Sequence, residues 1–232
     1  NGNYVLDSSL QYSVGGGEWM QLTASTPISF GGAEGDLRLR GQSTSGMANH
    51  ASEFAQITFE DNEVEVACNG DIRTLVDYKA YDRVSTVEAR FCCLFKNCLS
   101  LISAPELPAT ELAERCYYQM FYGCTSLTSA PALPATTLAD ACYFYMFRGC
   151  TSLTTAPELP ATSLTFRCYN YMFYGCTSLT SAPALPATTL AICCYSHMFN
   201  GCTNLATVPE LPATTLDAYC YSGMFMNCTS LT

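Results

Sequence analysis

Fifteen cysteines and two histidines are the residues of this 232-residue chain best equipped for chemistry. Cys193-Cys194-Tyr195-Ser196-His197 would set a thiol beside a base, as a nucleophile or as the start of a soft metal site. Cys92-Cys93 with Cys98 offers a second thiol group. Neither spacing suits the chemistry. A structural zinc site takes ligands two to four residues apart, in pairs. The regular cysteines here fall as C-x7-C, and Cys92, Cys93 and Cys98 lack a fourth ligand. Cys194 has equivalents elsewhere without a histidine, and His197 stands where other copies hold Gln119, Tyr145, Tyr171 and Gly223, which reads as a surface substitution. No glycine-rich loop precedes a lysine, so nothing cradles phosphate. The sequence points to no enzyme, no metal and no cofactor.

What positions these residues is a repeat. Blocks of twenty-six residues begin at Cys98, Cys124, Cys150, Cys176 and Cys202, and a partial copy spans 228–232. Each reads approximately C-T-S-L-T-S-A-P-x-L-P-A-T-T-L-A-x-x-C-Y-x-x-M-F-x-G. A fixed period in the twenties marks one supersecondary unit per copy, which buries its apolar face only by stacking on its neighbours. Residues 72–97 read as a degenerate first copy, with Ile72 on Cys98, Leu75 on Leu101, Phe91 on Tyr117, and Phe95 on Phe121. Eleven cysteines fall on two columns of the repeat, headed by Cys98 and Cys116, and are expected to be reduced, buried core residues.

Within a copy such as Cys124–Gly149, Leu127 to Ala130 reads as a short strand ended by Pro131 and Pro134. Thr137 to Asp140 has capping-box spacing. Leu138, Cys142 and Met146 follow at i, i+4, i+8, and Gly149 sits where a helix would end. The expected unit is one short strand and one helix of two to three turns. Residues 1–71 instead follow a period of two. Leu10–Val14 and Trp19–Thr23 flank three glycines, Pro27–Phe30 precedes Leu37–Arg40, and Ile57–Phe59 precedes Val64–Val66. These read as a small antiparallel β domain. The fold class expected is therefore a β domain (1–71) plus an α/β leucine-rich-repeat solenoid (72–232), with parallel strands on one face and helices on the other.

Composition bounds the partners. Apolar residues make up 49% of the chain and charged ones only 13%, which is not the make-up of a disordered tail. The net charge is −10, and the ten Lys and Arg residues do not cluster along the sequence. Nucleic acid is therefore not an expected partner. No apolar run reaches eighteen residues, so no membrane-spanning segment is expected.

The repeats resemble the BspA-type leucine-rich repeats of bacterial cell-surface proteins. The resemblance rests on the C-x-x-L start, as in Cys150-Thr-Ser-Leu153, and the M-F-x-G-C end, as in Met172-Phe-Tyr-Gly-Cys176. It implies a secreted or lipid-anchored surface protein that adheres to host or bacterial proteins or glycans. Any export signal or anchor lies outside the sequence read here.

Positions that vary between copies should face outwards. Tyr118 and Tyr122, Phe144 and Tyr145, Tyr171 and Tyr174 put aromatics on the first three copies, opposite Cys142 and Met146 on the expected helices. This is the candidate binding surface, for a protein, a glycan or a second copy of the chain. Two other readings stand beside it: a spacer that displays the N-terminal domain, and a glycan module centred on Trp19, the only tryptophan.

Overall fold

The computed structural model describes residues 4–24, 27–43 and 46–232. Near the N-terminus, β1 (Gln11–Val14) pairs antiparallel with both β2 (Met20–Gln21) and β3 (Leu37–Arg40), in the order β2-β1-β3. Gly15–Gly17 makes the β1–β2 turn. Gly15 has φ +60°, and a Cβ there would lie 2.6 Å from the Glu34 carbonyl oxygen, so glycine is required. A hairpin of β4 (Ala48–His50) and β5 (Glu53–Phe54) follows.

Two expected strands do not form. Pro27–Phe30 and Ile57–Phe59 lie outside every strand. The Ile57 N–H donates to the Leu94 carbonyl (2.8 Å), so this stretch bonds to the first copy of the repeat rather than to a sheet of its own. Likewise β6 (Val66–Ala67) pairs parallel with β7 (Leu101–Ser103). Val66, not Leu75, is the ladder partner of Leu101, because Ile72–Leu75 winds into a 3₁₀ turn capped by the Asp71 carboxylate on the Arg73 N–H. The strand of the first coil thus comes from before residue 71. Its later part, Phe91 to Asn97, sits in the twenty-six-residue register.

From there the copies stack in parallel. Ser103, Ser129, Thr155, Ser181 and Thr207 bridge in succession, and a second row runs Ser163, Thr189, Thr215. The Thr154 N–H donates to the Thr128 carbonyl, and that of Thr180 to Thr154, so equivalent residues lie side by side. Between the two rows lie the proline pairs, whose missing N–H groups limit each contact to single bridges.

The opposite side holds no α-helix. Over 113–124 the N–H of Tyr118, Met120, Tyr122 and Cys124 each donates three residues back, to Arg115, Tyr117, Gln119 and Phe121. The alternate N–H groups leave the copy. Tyr117 donates to Cys142, Gln119 to Phe144, Phe121 to Met146 and Gly123 to Arg148. Every fourth residue has positive φ: Arg115, Gln119 and Gly123; then Ala141, Tyr145 and Gly149; then Arg167, Tyr171 and Gly175. The segment is a chain of β-turns with one left-handed residue per turn. A helix would spend all these donors internally. Here half of them tie one copy to the next, each worth about 1 kcal/mol net, against about 1–2 kcal/mol per left-handed residue.

The interior is built of columns. Phe91, Tyr117, Tyr143, Tyr169, Tyr195 and Tyr221 stack with centroids 5.7–6.0 Å apart and planes within 17°. Phe95, Phe121, Phe147, Phe173, Phe199 and Phe225 form a second ladder at 5.5–5.7 Å. Leu127, Leu153, Leu179 and Leu205 are wholly buried beside them. Leu10 and Met47 of the N-terminal region belong to the same continuous core.

Candidate functional site

A chemical centre would have to be assembled from the thiols. All fifteen cysteines are free, and only Cys68 and Cys193 are not fully buried. The thiols of Cys124, Cys150, Cys176, Cys202 and Cys228 each donate to a carbonyl 29 residues back, in the preceding coil, at Phe95, Phe121, Phe147, Phe173 and Phe199, over 2.9–3.1 Å. This column therefore acts as inter-copy hydrogen-bond donors as well as small core side chains. Burial pushes the Cys98, Cys194 and Cys202 thiols up to about 12, so they stay protonated and poorly nucleophilic. Cys92 and Cys93 sit 3.4 Å apart, sulfur to sulfur, both sealed from solvent. Among the described residues no group of three or more His, Cys, Asp or Glu is placed to hold a metal. None of the helices among the described residues is long and apolar enough to cross a membrane.

The aromatic residues singled out by the sequence lie on the turn face, and every one of them touches another. Tyr118 meets Phe144 edge-on at 5.6 Å, and Phe144 stacks on Tyr145 at 4.1 Å. Tyr145 meets Tyr122 at 6.4 Å and Tyr171 at 4.9 Å, and Tyr171 meets Tyr174 at 5.5 Å. The β-turn chain makes this contact possible. Tyr145 and Tyr171 occupy left-handed positions of adjacent copies (φ +60° and +55°), which aims both side chains out of the turns in register. The six rings are half-buried rather than freely exposed, because neighbours cover one another's faces.

Four contributors are not among the residues read as candidates. His197 continues the left-handed column and stacks on Tyr171 at 4.6 Å with planes 4° apart. Its ring needs Gly223, where an added Cβ would lie 2.7 Å from Nε2. Arg148 occupies the position of Tyr122 and Tyr174 one copy away from each. Its guanidinium carbon lies 5.4 Å from the Tyr122 ring centroid, 5.1 Å from Tyr145 and 4.7 Å from Tyr174. Lys96 reaches Tyr122 at 5.2 Å while donating to Gln119 Oε1 at 2.7 Å. Arg167 lies over Phe144 (5.9 Å) and Phe166 (4.7 Å). Cations scattered along the sequence thus gather on one aromatic cluster in space. Writing the copies one above another would have revealed Arg148 between two tyrosines.

Trp19 immediately precedes β2 of the N-terminal sheet. The Arg40 guanidinium covers one of its faces at 3.9 Å and continues onto Tyr78 at 4.3 Å, which leaves that indole face closed to a sugar. On the strand side, a shallow groove lined by Ala182, Leu185, Pro186, Pro209 and Pro212 carries one charged residue, Glu210.

No protein-family model matches the chain, and no curated protein or solved structure compared with it matches either.

Proposed function

We propose that this chain is a non-catalytic recognition protein of a bacterial cell surface, a leucine-rich-repeat solenoid of the BspA kind with turns where helices were expected. Its partner, a protein or a glycan, binds the turn face of the first three copies. The observation that carries the reading is the single ring network of Tyr118, Tyr122, Phe144, Tyr145, Tyr171 and Tyr174, set among cations in a chain of net charge −10. Such a surface supplies contact area at low entropic cost, the usual use of tyrosine in interfaces. The buried, hydrogen-bonded thiols support a scaffold role rather than a catalytic one.

Replacing Tyr122, Tyr145 and Tyr174 together by Ser tests this. Binding to immobilised host matrix proteins and glycans should weaken at least about tenfold, the loss of roughly 1.4 kcal/mol. Because the rings are half-buried, Tm should fall by only a few degrees. Unchanged binding by the folded variant would remove the patch from the function. A variant that fails to fold would show the rings to be core.

A further inference from the structure

We infer that the patch takes a carboxylate-bearing polysaccharide, a uronic-acid polymer, with Arg148 as the residue that grips the carboxylate. This rests on the patch being the binding surface.

Arg148 is held in place yet uncommitted. Three tyrosine rings surround its guanidinium, and their electron-rich faces attract and hold the cation. Among the described residues, no carboxylate lies within ion-pair distance of it, and none of its guanidinium N–H groups has a hydrogen-bond acceptor, whereas Arg73 and Arg115 pair with carboxylates. A guanidinium fixed by rings, with its fork of donors unused, loses little freedom on binding a planar anion. The flanking copies set Tyr122 and Tyr174 on either side of it, and the planar fork of guanidinium donors matches the two oxygens of a carboxylate. Lys96 and Arg167, without carboxylate partners among the described residues, extend the positive potential to either side over the same rings.

The hydroxyls argue for a sugar rather than an acidic peptide. The phenols of Tyr122, Tyr145, Tyr171 and Tyr174 make no hydrogen bond within the described chain, although each is both donor and acceptor. A uronic-acid residue brings several hydroxyls beside each carboxylate and satisfies both kinds of group at once. A polyglutamate strand brings carboxylates and almost no hydroxyls. The copies present this surface as a row, so a linear polymer gains from several contacts along it.

The test uses the whole chain and four probes: polygalacturonate, dextran sulfate, neutral dextran and polyglutamate. Polygalacturonate should bind best and weaken as salt rises. Arg148→Gln should weaken it at least about tenfold, and Arg148→Lys, which keeps the charge but loses the fork, by several-fold. The inference is overturned if dextran or polyglutamate binds as tightly, or if dextran sulfate binds more tightly. It is also overturned if Arg148→Gln binds polygalacturonate like the parent. Should Arg148→Gln bind normally while the Tyr122/Tyr145/Tyr174 variant does not, the patch stands and the carboxylate assignment falls. Should both variants bind normally, both readings fall.

Discussion

Cysteine carries two loads at once in this chain. Each thiol of the Cys124–Cys228 column is buried in the core and donates to a carbonyl 29 residues back, one coil earlier. Serine would keep a donor but cost more to bury, and alanine would remove the tie between coils while each carbonyl kept the backbone N–H it already accepts, as Phe121 does from Cys124. The same burial makes the fold sensitive to alkali. A thiol in the unfolded chain titrates near 9.0, whereas burial raises Cys98, Cys194 and Cys202 to about 12. Burial also raises the phenols of Tyr117, Tyr143, Tyr169 and Tyr195 well above their ordinary value of 10.0. With folded values above unfolded ones, the unfolded state releases protons first as pH rises. This stability is complete below about pH 9 and is lost on the way to 12. Denaturation midpoints should therefore hold steady from pH 7 to 8.5 and fall steeply above 9. Thiol titration at pH 8 should find the column cysteines unreactive until the chain is unfolded. A flat midpoint up to pH 11, or rapid labelling of the native column, would contradict this account.

The turn chain follows from a spacing that the sequence displays plainly. Leu112, Cys116, Met120 and Cys124 are all buried at steps of four. On an α-helix twelve residues make about 3.3 turns, so such a stripe would drift by about 120° and leave the core. A four-residue turn with one left-handed residue repeats without drift and keeps the stripe inward. The strand side, the repeat length and the core columns were legible because each copy restates them. The turn side was misread because i, i+4, i+8 fits a helix over two steps and fails only over three. The inward-pointing rings Tyr117 and Phe121 and the outward cluster were both recoverable. Arg148 is legible only when the copies are set one above another, since its role depends on neighbours twenty-six residues away on either side. If the copies are interchangeable coils, deleting Cys150–Gly175, all twenty-six residues, should preserve a cooperative fold. Tm should drop by roughly 5–15 °C for the lost interfaces. Deleting only Tyr169–Asn170 would shift the four-residue frame of one copy by two and put Phe173 at the outward position of Tyr171. Circular dichroism should show little helix in the parent and in the longer deletion, and cooperative melting in those two alone. Cooperative melting of the shorter deletion would disprove the fixed frame.

At the scale of the whole molecule, the division at residue 71 marks a change of sequence pattern more than a boundary between cores. β6 supplies the strand of the first coil, the Cys98 thiol donates to the Ile57 carbonyl, and the Ser100 hydroxyl donates to that of Asp61. Leu10, 1% exposed, belongs to one apolar cluster with Leu205 near the far end. Two independent domains would each need a core of their own, and the three-stranded β2-β1-β3 sheet is too small to provide one. The N-terminal region is instead a cap that shields the first coil, the role that terminal units play in stacked folds. Two built-in probes separate these possibilities. Trp19 is the only tryptophan and reports on the sheet, while Cys150 and Cys176 report on the middle of the stack. With guanidinium chloride, tryptophan fluorescence and exposure of those thiols should change at the same denaturant concentration and with the same slope. Were the fluorescence to change first while Cys150 and Cys176 stayed protected, the sheet would be a separate domain. The coils would then not need it as a cap.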